Sequence, residues 1–130
     1  MNEIEKSENQ ITLIYLSNTP RGKKTVALCA STGIPTREID VTKTNLTGTQ
    51  IVEIAKALGL KISELVNQEH PSYQTKHKDL ELNDDDWIKL IRNDYELLKQ
   101  PIAMRGEECI LIDTPTDILK FAGISHNPPA

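Results

Sequence analysis

Two thiols and one knot of cations are the side chains here with chemistry to offer. Cys29 and Cys109 are the only cysteines, and Arg21, Lys23 and Lys24 crowd the stretch SNTPRGKK from Ser17 to Lys24. A thiolate at the positive start of a helix is a nucleophile that exchanges disulfides. Cations and backbone N–H groups at such a start, with Gly22 among them, could instead hold a phosphate-like anion; the plainer reading is solvated surface charge. The spacing Gly-x-x-x-x-Gly-Lys-Ser/Thr is absent, which excludes a nucleotide P-loop. Cys29 lies about two helical turns past the loop, on an apolar stripe with Val26 and Ala30, so its sulfur should point into the core and be inert. Cys109 falls on a strand with no cation tied to it and reads as packing. Ser17 and Thr19 cannot replace a thiolate, because a hydroxyl without a partnered base neither ionises nor forms a disulfide. His70, His77 and His126 lack metal-ligand spacing, so no metal site is expected. Asp84, Asp85 and Asp86 point in different directions around a helix start, and the helix dipole accounts for them.

The bulk numbers narrow the class. A chain of 130 residues, 38% hydrophobic, fits one domain with a real core. Its formal net charge of −4, with positive charges scattered among negative ones, argues against direct contact with nucleic acid. No apolar stretch approaches the roughly 20 residues that span a bilayer. MNEIEKSENQ has no apolar h-region and is not a signal peptide. Two distant cysteines without a secretion signal suit a reducing cytoplasm, the expected location. The expected layout is a flexible tail over residues 1–10, one domain over 11–122 and a tail over 123–130.

The elements that must position these groups follow from periodicity. ITLIYL, Ile11 to Leu16, is continuously apolar and predicts a central strand buried on both faces. Lys24 to Thr32 predicts a short helix stopped by Gly33 and Pro35, and Thr36 to Val41 a more exposed second strand. Thr47 and Gln50 form a capping box ahead of Ile51, Ile54, Ala55 and Leu58 on one helix face. Lys61 to Val66 predicts another short helix, and Asn67 to Asp79, broken by Pro71, a loop. Asn83 caps a helix whose apolar side runs through Trp87, Leu90, Ile91 and Leu98. PIAMRGEECILI reads as a hairpin turning at Gly106, and Thr114 caps a closing helix that docks through Ile118, Phe121 and Ala122. The first strand, helix and strand form a parallel unit and the hairpin is antiparallel. The sum is an α/β domain with a four-stranded mixed sheet and helices on both faces. A helical insertion separates the βαβ half from the C-terminal ββα half, which is a thioredoxin-like architecture.

Three stretches carry a family resemblance. LIYLSNTPRGKKTVAL, the insertion IVEIAKALGLKISELVN, and LLKQPIAM with its following strand and TPTDILKF are similar to the ArsC-type arsenate reductases, a family that includes the Spx-like transcriptional regulators. The similarity runs from about Ile11 to Phe121. It implies that Pro101, opening the third strand, is cis and faces the first loop. The reductases carry a nucleophilic cysteine in that loop, and Spx-like members usually carry a pair. Here Ser17, Asn18 and Thr19 stand in the neighbourhood. Where the reductases place an arginine before the proline this chain has Gln100, and where many relatives pair Tyr with Arg it has Tyr73 followed by Gln74. A third reductase arginine has no clear counterpart among Glu107, Glu108 and Cys109.

The departures agree with one another and set the functional expectation. The leading reading is a cytoplasmic ArsC/Spx-like protein that has lost thiol redox catalysis, needs no cofactor and acts by binding. Its target would be a small oxyanion near Arg21 and Lys23, or a protein partner held through the insertion helices, as the resemblance to the Spx branch implies. The expected cleft group is Ser17, Asn18, Thr19, Arg21, Lys23, Lys24, Tyr73, Gln100 and Pro101. The alternative is a working thiol oxidoreductase of the arsenate reductase type. That would need Cys29 or Cys109 in the cleft, with glutathione, glutaredoxin or thioredoxin as electron donor.

Overall fold

The computed structural model describes residues 9–121. Four strands, β1 (Ile11–Tyr15), β2 (Thr36–Asp40), β3 (Ile102–Arg105) and β4 (Glu108–Leu111), form one mixed sheet in the order β2-β1-β3-β4. β1 runs parallel to β2 with Ile11 opposite Thr36, while β3 is antiparallel to both β1 and β4. All five residues of β1 are buried because the strand is central and covered on both faces. β2, at an edge, is half-exposed.

Side-chain alternation divides the core into two layers. Ile14, Ile102 and Met104 point to the side covered by α2 (Gly48–Leu58) and α4 (Asp84–Asn93). Ile11, Leu13, Tyr15 and Ala103 point the other way, against α1 (Pro20–Ser31) and a closing 3-10 turn at Pro115–Lys120. Helices thus lie on both faces, and the insertion between the halves is present. The Gln100–Pro101 bond is cis, and Gly106 turns the β3–β4 hairpin at φ 59°, where a side chain would be strained.

Local chemistry moves four boundaries from the sequence-based expectation. α1 begins at Pro20 instead of Lys24, because Thr19 caps it and proline is at home in the first helical position. Arg21, Lys23 and Lys24 therefore sit within the first five residues of the helix. The stretch expected as a loop from Asn67 to Asp79 contains a six-residue helix, α3 (Pro71–Lys76), capped by His70. α4 stops at Asn93, with Leu97 and Leu98 reached through a separate 3-10 turn at Tyr95–Leu97. The closing segment is 3-10 helix and not α-helix, although Thr114 and Asp117 start it as expected. Asn9 and Gln10 apart, the expected tails lie outside the described residues, as do Ala122 and His126.

Candidate functional site

The first loop is held by a dense set of internal bonds. The Thr19 hydroxyl accepts the Gly22 N–H at 3.1 Å and donates to the Leu16 carbonyl at 2.8 Å. A Cβ on Gly22 would come within 2.8 Å of Thr19 Oγ1 and nearer still to the Leu16 carbonyl, so only glycine fits there. Ser17 is turned away from the helix mouth. Its N–H reaches Asp40 Oδ1 at 3.2 Å and its Oγ lies 3.2 Å from the Thr42 hydroxyl, which donates to the same Asp40 oxygen at 2.8 Å. Burial acts to raise the Asp40 pKa, but the bonds from Ser17 and Thr42 outweigh it and hold the carboxyl below its ordinary range. Gln100, just before the cis proline, accepts the Leu16 N–H on Oε1 at 3.1 Å, tying β1 to the entry of β3.

Few N–H groups at the mouth of α1 are left for a ligand. Pro20 has none, the Gly22 N–H is taken by Thr19, and the Lys23 N–H bonds the Thr19 carbonyl at 3.1 Å. Of the first turn, only Arg21 keeps a backbone donor.

Beside this mouth lies a cleft of about 700 Å³. Asn18, Thr19, Arg21 and Gln100 line it, together with Leu16. The opposite walls bring residues that sequence reasoning did not assign to a site. Asn67 and His70 come from the insertion, Glu96, Leu98 and Lys99 from the segment before β3, and Leu111, Ile112 and Asp113 from the end of β4. A short antiparallel bridge sets the insertion beside that segment, with Asn67 N–H to the Leu97 carbonyl and Lys99 N–H to the Leu65 carbonyl, both 2.7 Å. Arg21, Lys99, Glu96 and Asp113 line the same cavity, so the lining is balanced in charge. All four are exposed.

The remaining expected members stand elsewhere. Lys23 and Lys24 are exposed but do not line the cleft, nor does Ser17. Pro101 is buried behind it. Tyr73 is 7% exposed and stacked on Trp87, ring centroids 6.1 Å apart, facing the core.

Neither thiol reaches the helix mouth. Cys29 is fully buried, ten residues past Thr19 and so roughly 15 Å along the helix axis. Burial, then the negative charge of Glu38, pushes its pKa up to about 11. Cys109 is half-buried on β4, opposite Met104, and packs in the layer beneath α2 and α4. The two sulfurs therefore belong to opposite faces of the sheet, and no disulfide joins them. Among the described residues, no three His, Cys, Asp or Glu side chains gather in a metal-binding group, and no helix is long and apolar enough to cross a membrane.

Solved structures share this chain trace. A Yersinia pestis protein provisionally named an arsenate reductase matches with a TM-score of 0.78 at 18% identity, covering 85% of this chain and 99% of its own. An arsenate reductase from Vibrio cholerae matches with a TM-score of 0.76, also at 18%, over 85% and 96%. A Staphylococcus aureus protein solved by NMR is 26% identical, with a TM-score of 0.62 over 78% and 88%. No family model matches the sequence, and neither does any curated protein. The domain is thus a thioredoxin-like one. Its particular form, with the helical insertion between the two halves, is the ArsC-like thioredoxin fold, here without a cysteine in the first loop.

Proposed function

We propose that this chain is an ArsC-like protein without thiol redox catalysis, which acts by binding a segment of a protein partner in the cleft beside α1. One observation supports it above the others: Thr19 stands at the helix mouth with its hydroxyl already engaged as acceptor and donor. Arsenate reduction needs a thiolate there, and a hydroxyl in this state has neither the ionisation nor the redox chemistry. Cys29 is sealed in the core with its pKa near 11, and Cys109 does not line the cleft.

Charge supports a protein segment over a small oxyanion. A dianion in the cleft would meet Arg21 and Lys99 but also Glu96 and Asp113, and it would find only one backbone N–H in the first helical turn. Lys23 and Lys24 do not line it. A cavity of about 700 Å³ with apolar patches at Leu16, Leu98 and Leu111 and charges of both signs around them suits a short run of peptide.

The test is an arsenate reduction assay with glutathione/glutaredoxin and with thioredoxin as donors, paired with thermal unfolding in arsenate, phosphate and sulfate. The expected result is no turnover above the protein-free rate and no shift in melting temperature. Turnover that disappears in Cys109→Ala or Cys29→Ala would overturn the loss of catalysis. A melting shift abolished by Arg21→Ala with Lys23→Ala would make the ligand an oxyanion.

A further inference from the structure

His70 starts α3 with its side chain, and that side chain can change charge. Its Nδ1 accepts the Ser72 N–H at 3.1 Å, its carbonyl accepts the Gln74 N–H at 3.0 Å, and Pro71 fills the first helical position. Because proline has no N–H, Ser72 offers the first backbone donor of the helix, and His70 is what satisfies it. An imidazole accepts on Nδ1 only when neutral with its proton on Nε2. In the imidazolium both nitrogens carry hydrogen, so Nδ1–H would confront Ser72 N–H.

We infer that protonation of His70, which lines the cleft, uncaps α3 and loosens it, making this helix pH-sensitive. Six residues are too few for a helix to persist by itself, so its order rests on its cap together with the packing of Tyr73. The consequence extends inward. α3 presses Tyr73 onto Trp87 with ring planes 14° apart, and His77, the other histidine on this segment, sits with its ring centroid 6.0 Å from that of Tyr73. The Ser72 hydroxyl donates to Asp94 at 2.9 Å, so the second tie of α3 to its surroundings is also at its start.

The charges around His70 come from every side. Arg21 of α1 and Lys99 before β3 share the cleft with it and oppose the imidazolium, whereas Glu96 and Asp113 favour it. Asp94 lies beyond Ser72, and Glu69, Lys76 and His77 belong to the same stretch. The inference is independent of what the cleft binds.

Trp87 is the only tryptophan and reports on Tyr73 directly. Its emission and the amide exchange of Gln74, His77 and Lys78, corrected for intrinsic rates, are to be followed from about pH 8 down to about pH 5. In the wild type, exchange should quicken roughly five-fold, the factor that loss of a typical cap gives, and the emission should change over the same interval. His70→Asn keeps a neutral cap at every pH and should be flat and protected. His77→Gln should keep the transition. Ring-nitrogen chemical shifts should place the neutral proton on Nε2. A flat wild-type profile, a transition that survives in His70→Asn, one that vanishes in His77→Gln, or a neutral ring protonated on Nδ1 would overturn the proposal.

Discussion

Two helix starts face the same cleft and are built alike. Thr19-Pro20 opens α1 and His70-Pro71 opens α3, each with the cap side chain 3.1 Å from a backbone N–H and proline in the first helical position. They differ in what the cap can become. The Thr19 hydroxyl is engaged both ways and has no other state near neutral pH, whereas the His70 ring can gain a proton and lose its role. A third start, Thr114-Pro115, uses a carboxylate: Asp117 Oδ2 accepts the N–H groups of Asp113 and Thr114 at 2.9 and 3.0 Å. The same residue-then-proline start is thus served by three acceptors, the third of them working from inside the helix. A redox version of this fold would need a thiolate at the first start, and the first start is the one with the least chemical freedom.

The comparison can be broken at several points, beginning with the largest effect. Gly22→Ala should cost about 2–3 kcal/mol in urea unfolding, because the added carbon collides with Thr19 and with the Leu16 carbonyl; a cost under about 0.5 kcal/mol would mean that the α1 start is looser than described. At the carboxylate start, the N–H of Thr114, then Lys120 and the N–H of Asp113, hold the Asp117 pKa down at about 2. A depressed folded-state value means stability present above the ordinary aspartate pKa of about 3.9 and lost as pH falls from there toward 2. Lys120 is exposed and solvent-screened, so the contribution is about 1–2 kcal/mol, and Asp117→Asn should remove it together with that part of the acid slope. Thr19→Ala should cost about 1 kcal/mol with no change in pH dependence, in contrast to His70. Gln100→Ala should cost about 1 kcal/mol or slightly less, since it strips the acceptor from the Leu16 N–H at 3.1 Å. An arginine introduced as Gln100→Arg should bring no arsenate turnover, because the thiolate would still be missing.

Most of the fold was legible because it is written in local patterns. The continuous apolar run of β1, the Thr47/Gln50 capping box and the Asn83 cap each encode an element within a few residues, and the structure contains all three. The cis bond at Pro101 followed from the family resemblance and from nothing local. α3 was missed because histidine is an unusual cap and a polar six-residue helix has no apolar period to reveal it. The signal available was the repetition of a cap-then-proline pair at residues 19–20, 70–71 and 114–115. Of the cleft, the wall from the first loop and Gln100 could be named from sequence. Asn67, His70, Glu96, Lys99 and Asp113 could not, since three separate segments bring them together and none of them stands in a chemical spacing with another.

The central claim, that no reactive thiol stands at the mouth of α1, is tested most directly by the rate at which the native protein reduces a chromogenic disulfide reagent across pH, with Thr19→Cys as the reference. The expected wild-type profile shows slow reaction at neutral pH, with Cys29 silent until the protein unfolds. Thr19→Cys should add one fast thiol with a lowered pKa, because the helix start favours the thiolate. A wild-type thiol that reacts fast near neutral pH, with a pKa well below the free value, would contradict the account.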